Sequence, residues 1–468
     1  MTIEKIKKHP LLLGTVLLSG SGIISRILGF FYRIFLSRTI GASGLGLYQL
    51  IFPIFTLCLA ISASGIQTAI SRFVAIETAK GNTGRTYLAG GLFLSGSIAI
   101  IFSFLVHGFS PLLAENILKE PRCEDLLKVM SFSLVPSAVH SCFNGYYYGK
   151  KQSSVPSVCQ IIEQLARVGG TFLIYQILKE QGLPLEPLHA VWGLVISELA
   201  GLLVNTTAFT WRIAGAQTFS SLYQAKQNAV TSDCHKSFDV THPYALSNLP
   251  LTALLAMALP LTANHVLMTL SHSLENLLLP QKLMEFGYTS DEALTHFGIL
   301  TGMAMSVIFF PGVITNSLSV LLLPRISEAK AACNHQLVSD TIKGAAACGV
   351  CLGSVCTFFF LFSADWFGTV LFEDNMAGFY IRILSILCPF MYTNSLLNSI
   401  VNGLGYANLT LICNLSGCAV RIAAIWFLIP TYGMYAYIIA MIVSQVLTMG
   451  ELIWIMRKRV GNKCCIVK

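Results

Sequence analysis

Charge is what this chain has least of. Asp, Glu, Lys and Arg make up 11% of its 468 residues, where a soluble domain carries about 25%. A chain so poor in charge cannot cover an ordinary water-facing surface, which excludes a soluble globular protein. Motifs of chemistry are missing too: there is no P-loop, no G-x-S-x-G, no H-E-x-x-H and no carboxylate pair on an extramembrane surface. The chain therefore reads as a non-enzyme, and transport energised by ATP would need a partner chain. No basic run with interleaved aromatics speaks for nucleic acid. Cysteine is present, 14 in all, but without ligand spacing. The C-x-x-C of Cys348 and Cys351 lies in the apolar run GAAACGVCLGSVCTFFFLF with no histidine near it. Small, lipid-tolerant side chains account for it, and no metal or cofactor is expected.

What the chain does have is apolar length. Hydrophobic residues reach 54% and mean hydropathy is +0.68, so the chain reads as an all-α integral membrane protein. Segments of bilayer-crossing length fall near 10–36, 44–70, 86–108, 126–149, 155–178, 188–212, 249–279, 296–322, 342–363, 376–402, 408–429 and 433–456, about twelve in all. The first is read as a retained helix rather than a signal peptide, because it is long, contains arginines and lacks an A-x-A-like site. Basic residues gather in alternate connections (Lys5, Lys7 and Lys8; Arg72, Lys80 and Arg85; Lys150 and Lys151; Arg457, Lys458 and Arg459). The intervening connections, such as ENILKEPRCED and ADWFGTVLFEDN, are acidic or mixed. By the positive-inside rule both termini face the cytoplasm, and the net charge of +8 is largely this bias.

The one sizeable polar stretch, 213–246, is too short for a soluble domain and reads as a cytoplasmic linker. It divides the chain into six-helix lobes at 1–212 and 247–468. The halves resemble each other. Gln160 precedes Arg167 by seven residues in one and Asn414 precedes Arg421 by seven in the other. Phe52-Pro53 opens the second span and Phe310-Pro311 lies in the eighth, as expected of a transporter built from parallel repeats.

Within the first span Arg26 and Arg33 stand seven residues apart, on one helical stripe with Gly22 and Gly29. An arginine at the bilayer centre costs ~2.5–3.5 kcal/mol on insertion scales. Either Arg33 snorkels while Arg26 makes a structural ion pair, or both line a polar cavity, where guanidinium forks suit phosphate oxygens. Glu275 lies in the seventh span with His265, His272 and Asn276. An embedded glutamate is either a permanently paired carboxylate or a coupling site for a cation. Arg421 has no acid within its own span, whereas Glu163 and Arg167 form an i, i+4 pair that can satisfy itself. Glu198 is a lone acid in VWGLVISELAGLLV. The candidate substrate-binding set is Arg26, Arg33, Glu275, His272, Asn276 and Arg421.

The run SRILGFFYRIFLSRTIGASGLGLYQLIFPI, with its R-x-L-G-F-x-x-R, and the later F-P-x-x-x-x-N-S-L resemble the stage V sporulation protein B family. That family lies within the multidrug/oligosaccharidyl-lipid/polysaccharide (MOP) flippase superfamily. The resemblance implies a two-lobed, MurJ-like or MATE-like bundle that works by alternating access in the bacterial plasma membrane. It also implies a polyprenyl-diphosphate saccharide, a peptidoglycan precursor, as substrate, with spore-cortex or cell-wall synthesis as the setting. Arg26 and Arg33 occupy the motif positions implicated in contacting the diphosphate, while the two further helices common in MurJ-type proteins are lacking. Membrane lipids, a coupling cation and cell-wall synthesis proteins are the partners implied. The alternatives are a cation-coupled multidrug exporter of the same superfamily and a non-transporting scaffold for cell-wall enzymes.

Overall fold

The computed structural model describes residues 10–227, 250–332 and 334–462; these are helical almost throughout, and no strand occurs among them. The rods are α1 (Pro10–Leu50), α2 (52–79), α3 (Arg85–Gly108), α4 (Cys123–Gly149), α5 (Ser154–Glu180), α6 (Pro187–Gln227), α7 (Pro250–Phe286), α8 (290–331), α9 (335–372), α10 (375–403), α11 (Ala407–Phe427) and α12 (Met434–Asn462). Ten segments among the described residues have the length and hydropathy to cross a membrane, and the first of these, Leu17–Ala79, is 63 residues long. One crossing takes about 20, so that segment has length for more than one. α1 turns at Gly41, where φ is 71° and ψ is 178°, a conformation open to glycine. α8 breaks at Phe310 and Pro311, since proline has no N–H for the ladder. Thr289 and Glu292 form a reciprocal cap at the start of α8. α6 continues to Gln227, so the stretch expected to be a linker begins as helix; residues 228–249 lie outside the described residues.

α3 to α6 pack among themselves, as do α8 to α12, and two helices reach across. α1 packs on α5 of its own lobe and on the start of α8 in the other. α7 packs on α11 of its own lobe and on α2 in the other. Exchanging first with seventh and second with eighth helix maps one contact onto the other, which is the parallel repeat in three dimensions. The halves also share a detail: π-helical turns at Leu113–Leu118 and Phe367–Phe372 each end on a left-handed residue, Lys119 and Glu373. Small residues permit the crossings. A Cβ on Gly46 would lie 2.2 Å from the Leu294 carbonyl oxygen, and one on Gly65 would lie 2.6 Å from the Thr262 backbone nitrogen. Large apolar side chains such as Phe104, Phe362 and Trp211 point outward, more than 70% exposed. In water that surface would aggregate; in lipid it is the expected exterior.

Candidate functional site

At one end of the bundle the lobes are fastened together. Ser43 donates to Asp291 Oδ1 (2.6 Å), and Arg122 reaches both Asp291 (3.3 Å) and Glu120 (2.7 Å). Ser290 donates to Glu120 Oε2 (2.5 Å) and Gln281 to the Ile117 carbonyl (2.6 Å). Arg38 donates to the carbonyls of Val370 and Leu371. Burial works to raise the Glu120 pKa, but its bonds from Arg122 and Ser290 outweigh that and hold the carboxyl below its usual range. Beneath this seal α1 and α8 meet backbone to backbone through Gly46 and Gly298.

Away from the seal the lobes part around a cavity of about 710 Å³, lined by α1, the start of α2, α5, α8 and α10. Among the described residues, Arg26, Arg33 and Arg167 line it and no carboxylate does. Each guanidinium is steered by a neutral group, and for Arg26 and Arg33 that is done without cancelling the charge. The Asn316 amide oxygen accepts from both terminal nitrogens of Arg26 (2.8 and 2.9 Å), while its nitrogen donates to Ser395 Oγ (3.0 Å). Arg33 Nη1 donates to Ser306 Oγ at 2.7 Å. Arg167 donates from Nε and Nη2 to Ser197 Oγ, both at 3.2 Å, and has Glu198 at 3.5 Å. Among the described residues, neither Arg26 nor Arg33 has a carboxylate within ion-pair distance. In a low-dielectric setting such charges attract an anion strongly, and forked donors suit phosphate oxygens. The cavity is walled elsewhere by aromatic and small polar residues, among them Phe30, Tyr48, Phe310 and Gln164. A second opening of about 280 Å³ runs from Arg26 between Leu18, Gly22 and Ile23 of α1 and Val313 and Val320 of α8.

The candidate set drawn from sequence divides in two. Arg26 and Arg33 face the cavity together. Glu275, His272 and Arg421 lie apart, within the second lobe. Arg421 grips Glu275 with both arms (2.6 and 3.0 Å), Tyr437 donates to the same carboxylate (2.6 Å), and Ser444 accepts from Arg421 (3.1 Å). His272 Nδ1 stands 3.7 Å from Glu275. Asn276 is half-buried on the same helix and belongs to neither group. The pairing of Glu163 with Arg167 needs correcting: Glu163 faces His140 at 3.4 Å, and Arg167 turns to Glu198. Two clusters bring metal-type donor atoms within 4.8 Å of one another, His140 with Cys159 and Glu163, and His272 with Glu275 and Cys418. Their donors are engaged in hydrogen bonds and a guanidinium stands beside each, so they read as polar networks.

Residues 11–330 match the family described as polysaccharide biosynthesis protein. The chain belongs to that family. The chain is 27% identical to stage V sporulation protein B of Bacillus subtilis (strain 168), over 94% of this chain and 82% of that one. Against lipid II flippase MurJ of the same organism it is 30% identical, over 42% of this chain and 38% of the other. Its fold is that of a solved lipid II flippase MurJ in an inward closed conformation, with TM-score 0.67, 14% identity, and 94% and 87% of the two chains covered. It is equally that of an inward-facing MATE family transporter of the MOP superfamily, with TM-score 0.67, 13% identity, and 96% and 98% covered. The protein is thus a multi-pass plasma-membrane protein with the fold of MOP-superfamily transporters, and the relatives it matches include a flippase.

Sequence reasoning left Arg167 out of the candidate set, because an i, i+4 acid offered it a partner. The signal was in the repeat. Arg167 and Arg421 sit at matching positions, and each bonds a serine of the last helix in its lobe, Ser197 or Ser444. Asn316, which orients Arg26, lay inside the quoted F-P-x-x-x-x-N-S-L motif.

Proposed function

We propose that this protein carries a lipid-linked saccharide outward across the plasma membrane, holding the diphosphate on Arg26, Arg33 and Arg167. The observation that carries the reading is the cavity between lobes, lined among the described residues by three arginines and no acid. A cavity for organic cations would place acids there, so electrostatics favours an anion. The chain crosses twelve times with both termini cytoplasmic, residues 1–212 and 247–468 form the lobes, and 213–246 connects them. The basic connections then lie at the open end of the cavity and the Glu120–Arg122–Asp291 seal lies outside. The apolar opening beside Leu18 and Val320 takes the polyprenyl chain, leaving the saccharide in the cavity. Outward release needs the seal to break while the open end closes, a rocking of lobes about the α1–α8 and α2–α7 crossings. The name of the sporulation relative supports sporulation as the setting, and that of the lipid II flippase supports a lipid-linked cell-wall precursor as cargo. The two-armed Arg421–Glu275 pair supports a fastening role for Glu275 rather than cation coupling.

The test is translocation in liposomes of a labelled polyprenyl-diphosphate saccharide beside a cationic dye. Wild type and Arg26→Ala/Arg33→Ala are compared at matched protein content. Saccharide movement that disappears in the variant is the expected result. Dye movement without saccharide movement would transfer the protein to the multidrug exporters. An active double variant would remove the arginines from the mechanism.

A further inference from the structure

Behind Arg167, away from the cavity, lies a polar cluster that anion binding alone does not require. His140 of α4 is buried, as is Glu198 of α6. Its Nε2 is 3.0 Å from Glu198 Oε2 and its Nδ1 is 3.4 Å from Glu163 Oε1. Both ring nitrogens thus face carboxylate oxygens. A neutral imidazole has one N–H and one lone pair, so it can satisfy one such oxygen and must repel the other. The arrangement calls for one more proton, on the ring or on Glu163. The alternative bond is also in place: Asn144 Nδ2 stands 3.4 Å from the same Nδ1. Without the extra proton, Nδ1 accepts from Asn144 and Nε2–H still donates to Glu198. Ser137 donates to Glu198 (2.6 Å) and the Cys159 thiol to Glu163 (3.0 Å), which steadies both carboxylates in either state.

We propose that His140, between Glu163 and Glu198, is a proton-binding site whose occupancy is linked through Arg167 to the anion in the cavity; the inference rests on the anion-binding reading above. Glu198 is the shared element. One of its oxygens takes His140, and the other lies 3.5 Å from Arg167, which lines the cavity. A diphosphate in the cavity draws on the Arg167 charge and leaves two carboxylates to the imidazole, which strengthens its hold on the proton. Conversely, an imidazolium neutralises Glu198 and frees Arg167 for the anion. By linkage each ligand tightens the other to the same degree. The ionisable groups around the site fit this arrangement. α4 supplies His140 and Tyr148, α5 supplies Cys159, Glu163 and Arg167, and α6 supplies Glu198. α1 supplies Tyr32, Tyr48 and Arg33 on the cavity side of Arg167. The second lobe differs at Arg421: among the described residues His272 faces one carboxylate, Glu275 at 3.7 Å, and that carboxylate is held from two arms of the guanidinium.

The test uses the full-length protein in detergent and a farnesyl-diphospho-N-acetylglucosamine probe, each of whose phosphates has one ester and one anhydride bond and so keeps only a strongly acidic hydroxyl that does not titrate between pH 5 and 9. Affinity is measured across that range by calorimetry in two buffers of different protonation enthalpy, which also counts protons taken up. Wild type should bind more tightly as pH falls, by about 5–150-fold in total, with uptake of up to one proton per probe. His140→Gln and Glu163→Gln should both still bind, with the pH dependence flattened and the uptake gone. If one variant does not fold, judged by its melting transition, the other decides. Binding that is independent of pH in wild type, or uptake that persists in the variants, overturns the proton site and leaves the anion reading standing. A probe that wild type does not bind at any pH overturns both.

Discussion

Replacing Arg33 by glutamine separates a functional charge from a structural one. Its Nη1 donates to Ser306 at 2.7 Å, and Ser306 in turn donates to the Gly302 carbonyl. Ser306 therefore keeps a partner when the guanidinium goes, and the folded state loses about one hydrogen bond, ~0.5–1.5 kcal/mol. Against this, the half-buried charge has no carboxylate within ion-pair distance among the described residues, and removing an unpaired charge from a low-dielectric site relieves a desolvation cost of comparable or larger size. The melting temperature of Arg33→Gln should therefore be unchanged or raised. Transport should fall instead. A charge-assisted bond to a phosphate oxygen is worth ~1.5–3 kcal/mol, which converts to about 10–150-fold in half-saturating substrate. Arg33→Lys, keeping the charge but losing the fork, should fall between. The assay is the saccharide translocation measurement with substrate varied, beside thermal melting of the same preparations. Arg33→Gln with lowered stability and unaltered half-saturation would refute the reasoning and return Arg33 to a structural role.

Three further outcomes follow from the geometry. Arg421→Ala strands the buried Glu275 carboxylate, so it should cost about 3–5 kcal/mol of stability, read by melting in detergent, and Glu275→Gln/Arg421→Met should recover most of that loss. Gly46→Val puts a side chain where the Leu294 carbonyl lies, 2.2 Å from a Cβ; spin labels at Lys119→Cys and Glu285→Cys should report a longer distance across the seal. Glu120 titrates below its usual value in the folded protein, so its contribution to the seal is present above the ordinary glutamate pKa of about 4.3 and is lost as pH falls through the lower folded value; the same label pair should lengthen only in that acidic range, and Glu120→Gln should remove the transition.

Much was legible along the chain because bilayer physics acts locally. An apolar run long enough to cross need not know its neighbours, so the helical class and the approximate spans were readable. The repeat was visible as matched positions, Arg167 with Arg421 and Phe52-Pro53 with Phe310-Pro311. The two first-helix arginines could be placed on one stripe because helical periodicity fixes which residues share a face.

What only the tertiary structure decided is which partner each charge takes. Spacing put Glu163 within reach of Arg167, yet the packing of α4, α5 and α6 gives Glu163 to His140 and turns Arg167 toward Glu198 and the cavity. Arg421 found no acid in its own span, and its partner is Glu275, 146 residues away. A buried charge is satisfied by whatever lies across the helix interface, and that is set by helix rotation and crossing, which periodicity within one helix does not encode. The sequence by itself determined that cations would be buried in this membrane protein; the fold determined which of them are cancelled and which are left facing the space between the lobes.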